Sequence, residues 1–283
     1  MKLRFVKMHS CGNDFMVLDG INDAIQLTTE KIQQLAQRHT GVGFDQLLLV
    51  EASPDKSADF FYRIFNADGK EVGQCANGVR CLGHFLRYKG LTTQQRVTVK
   101  TRTTHMKLSL EALDKITVFL PPPKLHPNDI PLKVSAHTSH YSLPLVIKDC
   151  SGVTPYQDLH AVNVGNPHAV IKVDSLEDLP INALGKTISE HPWFPMQTNV
   201  GFMVWQDPNH LRLRVYERGC GETLACGSGA VAAAVISRLY YGGAESIEVS
   251  LPGGQLTVRW PTTESFIALE GPTTLVYEGT LIE

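Results

Sequence analysis

Apolar positions along the chain fall mostly in short runs. Leu3 to Met8, Phe15 to Leu18, Leu47 to Val50 and Phe60 to Phe65 have the length and apolar content or alternation of strands. Three segments carry helical periodicity instead. Thr29 to His39 places Ile32, Leu35, Ala36 and His39 on one face, with Thr28 or Thr29 as an N-cap. A second helix is predicted from about Gly78 to Lys89. A third, from about Gly229 to Tyr241, is at first nearly all Ala, Val and Ile. A helix that is apolar all round is buried, so this one is expected in the middle of its domain. Strand-like runs follow the last two helices, Val97-Thr98-Val99 and Ile247-Glu248-Val249. With no long βαβ alternation, the pattern predicts an α+β fold.

The pattern repeats. Arg63 to Glu71 aligns without a gap on Arg214 to Glu222, an offset of 151 residues, and Cys75-Ala76-Asn77-Gly78 then falls on Cys226-Gly227-Ser228-Gly229. Gly12-Asn13 with Val17-Leu18 matches Gly165-Asn166 with Val170-Ile171, and Gly43-Phe44 is paired with Gly201-Phe202. Matches in the same order, near half the chain length, predict two related, pseudo-symmetric domains. Leu120-Pro121-Pro122-Pro123, then Pro127 and Pro131, cannot continue a helix or a central strand and mark the exit from the first half. The expected division is 1–125 with 272–283, and 126–271.

The 283 residues suit two domains with sizeable cores, without disulfide staples. The formal net charge of -2 shows no basic excess, which argues against a nucleic-acid partner. At 19% charged residues, slightly under the usual share, some surface is expected to be covered in an oligomer. Basic residues at the N-terminus are not followed by the apolar stretch of a secretory signal. The run Ala230 to Ile236 is far short of the ~20 residues that span a bilayer. The expected location is therefore cytoplasmic, with the six cysteines as thiols.

Two of those cysteines stand apart. Cys75 and Cys226 occupy equivalent places, each just before a glycine-containing turn that opens a helix. A helix N-terminus carries partial positive charge and unpaired N–H groups, which favour a reactive thiolate and an adjacent bound carboxylate. Two such thiols on opposite sides of one carbon suit stereoinversion: one removes a proton and the other delivers one. Cys11, Cys81, Cys150 and Cys220 lack equivalents and read as ordinary thiols. Asn13, Gln46, Asn66, Asn166, His168, Asn199, Glu217 and Arg218 lie at loop-like positions nearby. Their types alone assign them no role, and Glu217 with Arg218 reads equally well as a solvated pair.

Asn66-Ala67-Asp68-Gly69, Cys75 to Cys81, Val164 to His168, Asn199-Val200-Gly201-Phe202 and Tyr216 to Gly229 together resemble the diaminopimelate epimerase family, and the likeness runs from Lys7 to Gly279. The resemblance implies a cofactor-free, metal-free conversion of LL- to meso-diaminopimelate, in lysine and peptidoglycan synthesis. It implies a fold of two similar α+β domains, with the site in the cleft between them and the last strand returning to the first domain. By that likeness Cys75 and Cys226 are the two bases. Ala76, Asn77, Gly227 and Ser228 hold the reacting carboxylate, Asn66, Asn166, Asn199 and Arg218 hold the distal end, and Asn13 and Gln46 line the site. Glu217 and His168 contact the amino group and tune the thiols. Tyr277 is similar to the tyrosine that supports the family's homodimer. The sequence departs from the family at Ala76, where glycine is usual, at Cys11, and at Met196, where Glu often stands.

Three other readings compete. A cofactor-independent racemase of another amino acid would use the same fold, but Asn77 stands where proline racemases resemble Cys-Gly-His. A dinucleotide-binding oxidoreductase would use the loose GxGxxA at Gly227 to Ala232, but the polar segment before it is no buried strand. A metal-binding protein would use Cys75, Cys81 and His84, a spacing unlike the usual zinc patterns.

Overall fold

The computed structural model describes residues 3–73, 75–112, 115–149 and 152–282. Cys150 lies outside them. The chain divides into two compact units, Met1–Phe119 with Ala268–Glu283, and Leu120–Ile267.

The first unit contains β1 (Leu3–Ser10), β2 (Asn13–Asp19), α1 (Thr29–Ala36), β3 (Gln46–Ala52), β4 (Phe60–Asn66), β5 (Glu71–Val72), α2 (Ala76–Tyr88), β6 (Arg96–Lys100), β7 (His105–Leu110) and β8 (Ile116–Leu120). The second contains β9 (Tyr141–Asp149), β10 (Gly152–Asn163), β11 (Pro167–Lys172), α3 (Ile181–Ser189), β12 (Asn199–Asp207), β13 (His210–Glu217), β14 (Gly221–Thr223), α4 (Gly227–Tyr240), β15 (Ser246–Leu251) and β16 (Gly254–Arg259). The chain then forms β17 (Ile267–Gly271) and β18 (Thr274–Leu281). β18 pairs antiparallel with β1 in the first unit.

The two units have the same wiring. In the first, β1–β2 is antiparallel, β2–β3 parallel, β3–β4 antiparallel, β4–β5 antiparallel, β4–β6 parallel and β6–β7 antiparallel. In the second, the same senses recur in order through β10–β11, β11–β12, β12–β13, β13–β14, β13–β15 and β15–β16. The register corrects one sequence alignment. Gln46 lies opposite both Phe15 and Asn66, as Asn199 lies opposite His168 and next to the pair Val200–Tyr216. Gly201 is therefore the counterpart of Leu48, and the pairing of Gly43-Phe44 with Gly201-Phe202 is out of register by five residues, the difference between offsets 158 and 153. The offset of 153 holds for both β2/β11 and β3/β12, and Gly43-Phe44 precedes β3 while Gly201-Phe202 lies within β12, so the shared dipeptide is coincidence.

Continuous apolar runs form strands covered on both faces. In β2, Met16 and Leu18 pack with Ile32, Leu35 and Ala36 of α1, while Phe15 comes against Gly78 of α2 from the opposite side. Ten of the fourteen residues of α4 are buried, as expected for a helix apolar all round. Its equivalent α2 buries the stretch Asn77 to Leu86.

Two helices differ from expectation. α1 stops at Ala36, because Gln37 turns to an extended conformation (φ -61°, ψ 123°). Gly41 and Gly43 then close the turn by donating to the Gln37 and Leu35 carbonyls, so His39 is exposed and shares no helical face. α3 is not apparent from the sequence. It starts after Pro180 with no side-chain cap, and is held by burial of Ile181 and Ile188 against Ala169, Val200 and Phe202. At Gly185 a methyl group would lie 2.3 Å from Tyr216 Cβ, so α3 and β13 touch through that glycine. Gly185→Ala is expected to cost about 1–3 kcal/mol by overpacking, read as a lower urea midpoint. An unchanged midpoint would mean that the contact relaxes without cost.

Candidate active site

Each of the paired cysteines is the N-cap of its helix. Gly78 N–H donates to Cys75 Sγ at 3.3 Å, and Gly229 N–H donates to Cys226 Sγ at 3.4 Å. The sulfur takes the place that an Asp or Ser oxygen fills at ordinary helix starts, which places it on the positive end of the helix dipole. This cap also explains why the helices begin at Ala76 and Gly227, two residues before the expected starts. Ala76 is the first residue of α2 and is not among the positive-φ residues, so replacing glycine by alanine there adds no backbone strain.

Around Cys75 the side chains form a directed network. Asn13 Oδ1 receives Cys75 Sγ at 3.8 Å and Asn77 Nδ2 at 3.4 Å, while Asn13 Nδ2 donates to Asp45 Oδ2 at 3.0 Å. Asp14 anchors the turn through a bidentate pair with Arg38, both contacts at 2.9 Å, and a contact to Lys7 at 2.5 Å. Burial pushes its carboxyl pKa up, but these two cations outweigh it and hold the pKa at about 2. Across β3 and β4, Gln46 Nε2 donates to Asn66 Oδ1 at 2.9 Å. The turn between β1 and β2 holds Cys11 and Gly12 at φ 51° and 81°, as two-residue hairpin turns require. The Cys11 thiol is buried, and that burial raises its pKa.

Around Cys226 the partners differ. Cys226 Sγ donates to Glu217 Oε2 at 3.1 Å and lies 3.5 Å from Ser228 Oγ. Glu217 Oε1 receives Thr223 Oγ1 at 2.6 Å. Burial raises the Glu217 carboxyl pKa, and burial followed by the Glu217 charge pushes the Cys226 thiol well up. His168 is fully buried. Its Nε2 lies 3.0 Å from Asn166 Oδ1 and 3.1 Å from Ser228 Oγ. Burial, then the Arg218 charge, lowers its pKa to about 3, so the ring is neutral at physiological pH. His168 thus reaches Cys226 through Ser228.

Asn199 is buried. Its Nδ2 donates to the Pro167 carbonyl at 3.1 Å, and its Oδ1 receives the Arg218 N–H at 3.0 Å. Arg218 is exposed, with Nη1 donating to the Met196 carbonyl at 2.8 Å. The structure therefore gathers Asn13, Gln46, Asn66, Ala76 and Asn77 in the unit of Cys75, and Asn166, His168, Asn199, Glu217, Arg218, Gly227 and Ser228 in that of Cys226. Tyr277 stands on β18 with its ring edge-on to Phe5, at a centroid distance of 6.0 Å. Sequence reading missed Asp45, Thr223 and Tyr62, whose hydroxyl donates to the Cys75 carbonyl at 3.4 Å. Only strand register brings these close, so no local pattern marks them.

No two of the five described cysteines are joined in a disulfide. Among the described residues, no three His, Cys, Asp or Glu side chains are grouped to hold a metal, and His84 Nδ1 lies 3.0 Å from Thr273 Oγ1. No helix of the described residues is long and apolar enough to cross a membrane.

The family described as Diaminopimelate epimerase matches residues 5–125 and 160–276. The Diaminopimelate epimerase of Legionella pneumophila strain Corby is 54% identical over all of both chains. That of Azotobacter vinelandii is 43% identical over 99% of each. Among solved structures, a phenazine biosynthesis protein of the PhzF family from Bacillus anthracis shares the fold at TM-score 0.69 and 17% identity, covering all of both chains. A hydroxyproline epimerase from Agrobacterium vitis shares it at TM-score 0.67 and 16% identity, covering 99% of this chain and 92% of that one. With two repeated units, each capping a helix with a cysteine, and relatives of this identity over the full length, the chain belongs to the diaminopimelate epimerase family.

Proposed function

We propose that the protein interconverts LL- and meso-2,6-diaminopimelate by a two-base proton transfer at the α-carbon. Each of its two homologous halves supplies one base, Cys75 or Cys226. The observation that carries this reading is the equivalent placement of the two thiols as N-caps of matching helices in matching units.

In one direction a thiolate takes the α-proton from one face, and the opposite thiol gives its proton to the other face. The roles exchange in reverse. Each group contributes on the order of 10²–10⁴-fold as general acid or base. The planar carbanion must be stabilised through its carboxylate. The N–H groups at Ala76, Asn77, Gly227 and Ser228, at the two helix starts, supply donors suited to it. Arg218 offers a fork for the distal carboxylate; Asn66, Asn166 and Asn199 are proposed to bind the same end of the substrate, and Asn13 and Gln46 to contact it. Glu217, bonded to the Cys226 thiol, and His168, acting through Ser228, set the proton's position in that half. The reaction needs no cofactor and no metal, and suits the cytosol, where thiols stay reduced. Val276 and Tyr277 are exposed on β18, and a second copy of this chain is the proposed occupant of that face, giving a homodimer.

Turnover of LL-diaminopimelate against single-headed amino acids such as proline tests the substrate. Activity on diaminopimelate alone is expected. Activity on single-headed substrates alone would replace this reading with the racemase alternative.

A further inference from the structure

Arg80, in the second turn of α2, is fully buried. Its Nη2 donates to Ser10 Oγ at 2.7 Å and Asn77 Oδ1 at 2.8 Å, its Nη1 donates to the Ala76 carbonyl at 3.2 Å, and its Nε has no hydrogen-bond partner among the described residues. All these partners are neutral. A buried cation without an anion costs several kcal/mol. Moreover, this fork folds back onto the first turn of its own helix, the positive end of the dipole, where a cation is least welcome. Two positive potentials thus converge at the start of α2, and an anion there would relieve both.

The groups packed around that point narrow the anion to one. Burial weighs against the Arg80 charge, and negative charge on Cys11, Cys81 or Cys75 would act to retain it. Burial pushes both Cys11 and Cys81 up, which keeps them protonated. Tyr62, on β4, is likewise held neutral by burial. From the β2 side, Asp14 is committed to Arg38 and Lys7, and Asp45 to Asn13 and Arg38. β3 presents Leu48 to Gly78, and β7 presents Leu110 to Gly83. His84, one turn further along α2, lies against Thr273. Cys75 is left, half-exposed and capped by the Gly78 N–H.

The repeat sharpens the contrast. The residue equivalent to Arg80 is Val231, at the offset of 151, and the Cys226 thiol instead donates to the Glu217 carboxylate at 3.1 Å. The helix capped by Cys75 holds a buried cation bonded to its first turn, and the thiol of Cys226 is bonded to a carboxylate. We propose that Arg80 is a positioning residue for catalysis, the fixed counter-charge of the Cys75 thiolate. The resting protein then carries its negative charge on Cys75 and its proton on Cys226. The inference rests on the two-thiol reading, but its test needs no turnover.

The test is pulsed iodoacetamide labelling of the full-length, substrate-free protein across pH, with each cysteine resolved by peptide mass spectrometry. In the wild type, Cys75 is expected to label at a lower pH than Cys226. Arg80→Gln should raise the Cys75 midpoint by about one pH unit or more, the usual effect of losing a nearby opposite charge. The Cys226 midpoint should stay in place. Arg80→Lys keeps a charge but not the fork to Asn77, and should stay within about half a unit of the wild type at Cys75. An unchanged Cys75 midpoint in folded Arg80→Gln, or an equal rise in Arg80→Lys, would overturn the proposal. If Arg80→Gln lacks native circular dichroism, the wild type decides: Cys226 labelling below Cys75 would also overturn it. Loss of inversion in Cys75→Ala is a separate result, so either idea can fail without the other.

Discussion

Cys75→Ala and Cys226→Ala are each expected to lose inversion of diaminopimelate by about 10⁴-fold or more, while keeping native circular dichroism. The first expectation follows from the chemistry. Inversion needs a proton removed on one face and supplied on the other, and one positioned acid or base alone is worth on the order of 10²–10⁴-fold. Without its partner, the remaining thiol has no route to the opposite product. The second follows from packing. Each cysteine contributes only its sulfur at a helix start, and loss of an N-cap costs about 1 kcal/mol, a small part of a two-unit protein's stability. Each single variant should still exchange the α-hydrogen of the one isomer that presents it to the surviving thiol, with retention of configuration. The two variants should therefore exchange opposite isomers. Inversion surviving in either variant would remove that cysteine from the two-base pair.

Glu217→Gln is expected to slow turnover by about 10²-fold, the lower end for removing a proton-transfer partner. It should also lower the pH at which the Cys226 thiol ionises. The sign comes from the site. Burial is the main influence raising the Cys226 thiol, and the Glu217 charge, bonded at 3.1 Å, is the next. Removing that charge makes the thiolate less costly, so its pKa falls toward the ordinary value while burial keeps it raised. Thr223 can still donate to the glutamine oxygen, so the local fold should hold. The labelling midpoint of Cys226 against pH measures the shift. A rise instead of a fall would mean that Glu217 acts by orienting the thiol rather than by its charge.

The sequence showed most of what places the two cysteines. The gap-free offset of 151 residues marked Cys75 and Cys226 as equivalents, and the structure puts both sulfurs at helix N-caps. Apolar runs located β2, β3 and β4 because strands covered on both faces leave that mark. α3 left no comparable sign, since Pro180 supplies no side-chain cap and its burial depends on residues of β11 and β12. The end of α1 was equally hidden, because glycines at 41 and 43 close the turn through backbone contacts alone. From its type alone Glu217 read equally well as a solvated partner of Arg218, and only the family resemblance set it near the thiols. Only the β13–β14 hairpin, which folds Thr223 back over it, shows the carboxylate turned to the thiol. Arg80 did carry a signal: a lone cation among the inward-facing residues of α2, unmatched at Val231 in the repeat.

The central claim is that two thiols act on opposite faces of one carbon. Its most direct test is to convert LL-diaminopimelate in heavy water, without added cofactor, and locate deuterium at early times. Two bases should place a solvent deuteron on the α-carbon of nearly every meso product molecule, while the remaining LL substrate stays almost free of label. Equal early labelling of substrate and product, or product that keeps the substrate's own hydrogen, would contradict it.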